Sequence, residues 1–298
     1  MSTTQLFNIL KFIYTHPFNS ENRINGILRF FKWQISCLLN QYPIIYQFTE
    51  NSRLIIAKGM TSATGNLYCG LAEYNEMGFL LHFLRQGDLF IDIGANIGAY
   101  TILASAEIGA NTIAIEPIPP TFKILLDNIL VNRIHDRVKA LNIGLGSKNG
   151  KLRFTTLYDS TNHVATGGET NTIEVEVSTL DTILSSELIP VLLKIDVEGF
   201  ETEVLNGAEK TLGRDALKAI IIELNGLGKR YGYDDLEVHK KLLNFEFKPF
   251  MYNPQRRRLE ELETFGAHNT IYLRDKKFVE DRIRSARRIK IGNTPHII

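Results

Sequence analysis

The residues of this chain best placed to do chemistry cluster in LFIDIGANIGAYTILA, residues 89–104. Phe90, Ile91 and Ile93 form an apolar run that reads as a buried strand. Gly94, Ala95, Asn96, Ile97 and Gly98 form a tight turn, and Ala99, Ile102, Leu103 and Ala106 recur at helical spacings. A turn of this kind, at the carboxyl end of the first strand of an open sheet, is where nucleotide-like ligands bind. Its glycines let the backbone approach a ligand with no Cβ in the way. Asp92 changes which ligand is expected: a carboxylate there repels a pyrophosphate and suits a cation that bears an amino group. An unpartnered acid at the end of an apolar strand is otherwise costly. A dinucleotide fingerprint has glycine at the place of Asn96, which counts against the alternative reading, an NAD-dependent oxidoreductase.

Four further groups are expected beside that turn. Glu116 ends the run TIAIE, where an acid accepts both hydroxyls of a ribose, since neighbouring strand ends lie ~5 Å apart. Asn142 stands near the end of the next strand, where a base would sit. In LLKIDVEGFE, Leu192, Lys194 and Asp196 share one face of a strand. Lys194 and Asp196 are expected to pair, because neither ion is tolerated alone in an apolar strand, and Glu198 begins the following loop. Glu223 ends IIIEL, with Asn225 just beyond. Acids at three neighbouring strand ends serve either to hold a cation or to supply a general base. Magnesium held by Asp196, Glu223 and Asn225 is the lesser alternative to a site without metal. His163, within the polar TNHVATGG, is the histidine best placed for an acceptor, ahead of His239 and His268. Glu73 is a second acceptor-side candidate, while Tyr68 and the basic run Arg256–Arg258 read as packing and as a solvated turn.

These residues need a framework of alternating strands and helices, which implies a parallel sheet covered on both faces. Strands are expected at Leu89–Ile93, Thr112–Glu116, Val138–Ile143, Pro190–Ile195 and Leu217–Glu223. Helices are expected at Leu71–Leu84, Ile97–Ile108 and Asp235–Asn244, with one opened by Pro119 and Pro120. Residues 52–70 read as short β runs, residues 144–177 as a hairpin-like insert, and Phe247–Tyr252 and Asn269–Leu273 as a closing β pair joined by QRRRLE. Residues 1–50 read as an amphipathic helical cap packed on the core or on a second subunit, with an interfacial helix lying on a membrane as the sharper alternative. The division is therefore 1–50, 51–275 and a tail at 276–298. The 298 residues carry a net charge of +1, which gives nucleic acid no electrostatic hold. Two distant cysteines, Cys37 and Cys69, argue against a disulfide framework or a cysteine zinc site and for a reducing, cytoplasmic setting. No secretory leader or spanning segment is read from the sequence.

The blocks FIDIGANIGAYT, IAIEPIPP, LLDNILVN, STLDTI, LLKIDVEGFETEVLNGAE and IIIEL stand in one order across residues 65–275. In this the chain resembles the FkbM family of methyltransferases, which use S-adenosylmethionine, a sulfonium that also carries an ammonium. The resemblance implies a class I Rossmann-like sheet of seven strands, mostly parallel with the last antiparallel, behind the helical extension. It implies cofactor contacts from Asp92, Gly94, Ala95, Asn96, Gly98, Glu116, Asn142 and Asp196. Catalytic work falls to Asp196, Glu198 and Lys194, and acceptor contacts to Glu73, His163 and Glu223. The implied acceptor is a hydroxyl of a sugar, glycan or secondary metabolite. A module that binds the cofactor without turnover is the remaining alternative.

Overall fold

A computed structural model describes residues 3–40, 42–158, 161–184, 187–292, 294 and 296–298. The chain opens with two helices, α1 (Thr3–Thr15) and α2 (Arg23–Leu39). Asn22 caps α2 by accepting from the Asn25 amide. Strands β1 (Ile44–Gln47) and β2 (Arg53–Ile56) then form an antiparallel hairpin, so residue 50 lies inside its turn. Residues 61–69, expected as β, form helix α3 (Thr61–Cys69) instead. The apolar Ala63 and Leu67 lie four apart and pack as a helix face, which outweighs the local Ser, Thr and Gly content. Helix α4 (Tyr74–Phe83) runs beneath the sheet and is buried on most of its surface.

The alternating strand–helix framework follows as β3 (Leu89–Ile93), α5 (Ala99–Ile102) running into a π-helical stretch at Leu103–Ile108, β4 (Asn111–Ile115), α6 (Pro119–Asn132) and β5 (Val138–Leu141). An insert carries β6 (Gly144–Leu145), β7 (Gly150–Thr155) and β8 (Thr172–Ser178). It is a three-stranded sheet in the order β6-β8-β7 rather than a hairpin alone. After it come α7 (Leu180–Ile183), β9 (Leu192–Ile195), α8 (Glu201–Asn206), α9 (Glu209–Leu212) and β10 (Ala219–Glu223). The chain closes with α10 (Asp235–Asn244), β11 (Lys248–Asn253), β12 (Arg258–Glu261), β13 (Asn269–Leu273) and α11 (Lys276–Ser285).

The central sheet has the order β12-β11-β13-β10-β9-β3-β4-β5, with β10, β9, β3, β4 and β5 parallel. It thus holds eight strands where seven were expected. The additional one is β12, a four-residue edge strand, RLEE, with a single buried residue, Leu259. A short charged edge strand resists further pairing and leaves no alternating pattern to read. The sheet separates two cores. Phe90, Leu192 and Ile221 face α4 and the amino-terminal helices, whereas Ile91, Leu193 and Ile220 face α8, α9 and α10. Each such fully buried side chain contributes about 1.5–3 kcal/mol. The last residues return to the first core through Ile289, Ile291 and Ile298, and Thr49 bridges to Ile291. Glu107 ties these ends together, accepting from the Asn51 amide at 2.8 Å and pairing with Arg287. No described helix is long and apolar enough to cross a membrane.

Candidate functional site

The parallel strands β3, β9 and β10 bring three turns to one edge of the sheet, above a cavity of about 530 Å³. Gly94 sits at φ +76°, and a Cβ there would lie 1.8 Å from the carbonyl oxygen of Asp196. The turn after β3 and the turn after β9 therefore touch through a position only glycine fills. The amides of Gly94 and Ala95 donate to Ile115 at 3.0 and 2.9 Å, which joins the turn to β4. Asn96 follows in the left-handed region at φ +51°, and its side-chain oxygen accepts from the Ile97 amide at 2.7 Å.

Glu116 clamps two loops at once. One carboxylate oxygen accepts from the Asn96 amide and the other from the Ile118 amide, both at 2.9 Å. Burial pushes this acid up to about 7, against the pull of those two amides. Gly98 and Asn142 act differently from the contacts expected of them. A Cβ on Gly98 would meet Leu125 at 2.5 Å, so this glycine serves the packing of α5 on α6 and lies outside the cavity lining. Asn142 donates its amide hydrogens to the Glu116 and Pro117 carbonyls at 2.8 and 3.0 Å, and Ile143, Gly144 and Leu145 line the cavity in its stead.

Beneath the turn lies a chain of buried charge. Asp92 is 1% exposed and accepts from the Thr101 amide at 3.0 Å and the Thr101 hydroxyl at 2.6 Å. Its register partner on β9 is Lys194, whose ammonium donates to Asp196 at 2.8 Å and lies 4.8 Å from the centre of the Tyr100 ring. The Tyr100 hydroxyl in turn donates to Glu73. Burial alone would lower the lysine's pKa, but Asp196, Glu73 and Asp92 hold it above its usual value. Burial raises Asp92 and Glu73 despite Lys194.

The rim beyond β9 and β10 is acidic. Glu198, at φ +56°, is pushed up to about 7 by burial and by Asp196 and Glu201. Glu223 is pushed up to about 8 by burial and by the charges of Asp196 and Glu198. Carboxylate oxygens of Asp196, Glu198 and Glu223 lie within 4.8 Å of one another. Asn225 is not part of that group. Its oxygen accepts from the Leu227 amide at 3.0 Å, and it does not line the cavity. The Leu224 amide still pairs with His268, which carries the chain past the rim before Asn225 can turn inward. The expected set Asp196, Glu223 and Asn225 is thus not assembled, and magnesium gains no support from it. Glu201, read only as a helix-start acid, accepts from the Val197 and Gly199 amides at 3.1 and 3.2 Å and fixes the loop that carries Glu198.

The opposite wall comes from the insert and the amino-terminal helices: Phe154, His163 and Val164, with Phe12 and Thr61. His163 is buried, its ring held by the Thr161 carbonyl at 2.9 Å and by Glu169 at 3.1 Å, and it stacks on Tyr158. Tyr68 packs away from the cavity near Gln34, and His239 is held by Tyr272 at 2.7 Å. Arg257 binds main-chain carbonyls of the closing segment. Sequence reading missed Tyr100 and Phe12. Tyr100 had a usable signal, since it follows the glycine turn by two residues and an aromatic there faces the buried acids. Phe12 had none, because nothing local brings residue 12 to residue 94.

Among the described residues, six carboxylates (Glu73, Asp92, Glu116, Asp196, Glu198 and Glu223) and one ammonium (Lys194) line the cavity. Such a donor set fits a cationic ligand and opposes a pyrophosphate. Residues 92–279 match the family described as the methyltransferase FkbM domain. The chain is 32% identical over 178 residues to the hexuronic acid methyltransferase AglP of Haloferax volcanii, covering 57% of this chain and 67% of that protein. It is 30% identical over 161 residues to methyltransferase 1 of Beauveria bassiana, covering 45% and 63%. The chain thus spans about two thirds of the length of these relatives. Among solved structures, a precorrin-6y C5,15-methyltransferase from Geobacter metallireducens overlaps 74% of this chain and 93% of that one at 13% identity and a TM-score of 0.41, a likeness too remote to carry an argument.

Proposed function

Because the chain belongs to the methyltransferase FkbM domain family, we propose that it methylates a hydroxyl of a sugar, with S-adenosylmethionine as the donor. The observation that carries this reading is the acidic lining, six carboxylates to one ammonium among the described residues, around the turn at residues 94–97. The donor supplies, when bound, a methyl group made electrophilic by its sulfonium. Asp92, Asp196 and Glu116 are the residues proposed to hold it. Asp92 and Asp196 offer anionic oxygens to its cationic end, while Glu116, already fixed by two amides, accepts from ribose hydroxyls.

Glu198 is the proposed general base. Asp196 is already engaged as the acceptor of the Lys194 ammonium at 2.8 Å. Glu198, pushed up to about 7, is matched to taking a proton from an acceptor hydroxyl near neutral pH. Lys194 and Tyr100 keep the acids beneath from repelling one another, and His163 with Phe154 orients the acceptor and excludes water. A sugar is favoured as acceptor because the relative AglP is named for a hexuronic acid. The nicotinamide reading is disfavoured by Asn96 and by the acids, and an inert module by the presence of Glu198 beside the cavity.

The test joins calorimetric titration of S-adenosylhomocysteine with transfer of labelled methyl to a panel of hexuronic acid glycosides. Micromolar binding, on the order of −8 kcal/mol, is expected for the folded protein and is weakened in Glu116→Gln. Glu198→Gln is expected to keep that binding and lose transfer by about 10²–10⁴-fold. A folded protein that binds neither S-adenosylhomocysteine nor S-adenosylmethionine sinks the reading.

A further inference from the structure

Helix α2 is apolar on two opposite faces. Gly26, Phe30 and Trp33 are buried against the core. On the other side Ile24, Leu28, Phe31, Ile35, Leu38 and Leu39 recur at spacings of three and four, and each is between 48% and 85% exposed. These six form one stripe roughly 22 Å long. Helix α1 continues it with Phe7 and Tyr14, 67% and 48% exposed, and the Arg23 guanidinium at the start of α2 lies 4.6 Å from the Tyr14 ring centre. Neither helix contains an acid; Lys11, Arg23 and Lys32 are exposed bases, Arg29 turns inward to the Tyr68 carbonyl, and Glu21 is the one acid in the connection between the helices. Contiguous apolar surface of this extent marks a docking face.

From this face we infer that α1 and α2 dock the protein on an anionic membrane surface. The charges choose the occupant. Two helices with exposed aliphatic and aromatic side chains, three exposed bases and a single acid in their connection match an interfacial membrane element, which buries its apolar face at the headgroup boundary and draws anionic lipid to its rim. A second copy placed on the same face by a two-fold axis would set basic helices against basic helices. Phe12, two residues before Tyr14 and so on the other side of α1, lines the cavity instead of the stripe.

The experiment is co-flotation of the full chain with phosphatidylcholine vesicles, with and without phosphatidylglycerol. It uses the wild type, the double variant Leu28→Glu/Ile35→Glu, and Lys11→Gln/Lys32→Gln. All four positions are on the surface, and circular dichroism with thermal melting checks that each variant folds. The wild type is expected to float with the mixed vesicles. The glutamates are expected to lower the partition by at least tenfold, because two apolar side chains leave the interface. The glutamines are expected to lower it only on vesicles that contain phosphatidylglycerol. A wild type that stays in the aqueous fraction overturns the inference. So does a wild type that sediments as a dimer which Leu28→Glu/Ile35→Glu returns to monomer, since the face is then a subunit contact. Equal flotation of wild type and double variant also overturns it. None of these results touches cofactor binding, so this inference stands or falls apart from the methyl-transfer reading.

Discussion

The cavity has two walls built on different principles. The wall formed by β3, β4, β9 and β10 holds its groups by short-range necessity: each acid leaves a strand end and meets a neighbouring strand about 5 Å away. Asp92 is fixed by Thr101, Glu116 by two amides, and Lys194 by Asp196. The wall formed by α1, α3 and the insert reaches the cavity from far along the chain, and one of its polar members, His163, is held by neighbours within the insert itself. The first wall has almost no freedom to vary and suits the half of the reaction that stays constant. The second is a graft whose contents can change while the sheet stays as it is, which is where acceptor choice belongs.

The sharpest break of that contrast is Gly94→Ala. Its Cβ collides with the Asp196 carbonyl, so the turns after β3 and β9 must separate. A loss on the order of 4–5 kcal/mol in urea unfolding is expected, together with loss of cofactor binding. Gly226→Ala is the matched control. It has a similar φ of +83° but open space for a Cβ, and it is expected to cost only about 1–2 kcal/mol. Equal costs at the two glycines would mean that backbone strain, not the meeting of two turns, makes the first wall rigid.

Next in size is Lys194→Met, which leaves Asp92 and Asp196 without their cation. A loss of about 3 kcal/mol is expected at pH 8. It should shrink toward acid pH, because a buried acid without its partner is protonated instead. Melting curves at pH 6 and pH 8 check this; a pH-independent loss would assign Lys194 a packing role only.

The unequal legibility of the sequence follows from the same contrast. The places of Asp92, Glu116, Asp196 and Glu223 at the strand ends were readable because a short continuous apolar run tells where a buried strand ends, and parallel order tells which ends are neighbours. The pairing of Lys194 with Asp196 followed from two residues on one strand face. What escaped was set by distant packing or by weak local patterns. The helix at Thr61–Cys69 hides behind turn-forming residues, and the edge strand Arg258–Glu261 has one apolar residue to announce it. Gly98 looked like a ligand contact because a glycine's reason is invisible without its neighbour, here Leu125. Asn225 looked like a ligand because spacing alone does not show that the chain continues pairing at Leu224 before it turns.

A third test titrates the acidic wall. Burial raises Glu116, Glu198 and Glu201 to about 7 and Glu223 to about 8. A raised acid binds its proton more tightly in the folded than in the unfolded state. Its stabilising effect is therefore complete below its ordinary value of 4.5 and is lost as pH climbs through 7 to 8. The ligand-free protein is expected to melt at falling temperatures between pH 5 and pH 8. Binding of the cationic donor should strengthen over the same interval, since it favours the ionised acids. Glu223→Gln should flatten both slopes. Opposite slopes in the ligand-free protein would show that solvent enters the wall and leaves these acids at ordinary values.

The smallest expected effect belongs to the grafted wall. His163 is fixed by Thr161 and Glu169, and its ring faces the cavity without touching the turn at residues 94–97 or the Lys194 network. Removing it in His163→Ala takes away an acceptor contact but leaves the strand-end acids as they are. The expected outcome is a rise in acceptor KM of roughly tenfold, with kcat and S-adenosylhomocysteine affinity nearly unchanged. Phe12→Ala, on the same wall, should act in the same direction, and the two should add, since they sit on separate elements. Steady-state kinetics with the best glycoside acceptor decides it. A fall in kcat accompanied by a displaced pH profile would instead make His163 the proton acceptor. The division of labour between a fixed wall and a variable one would then give way, with the insert taking part in the chemistry that this reading reserves for the strand ends.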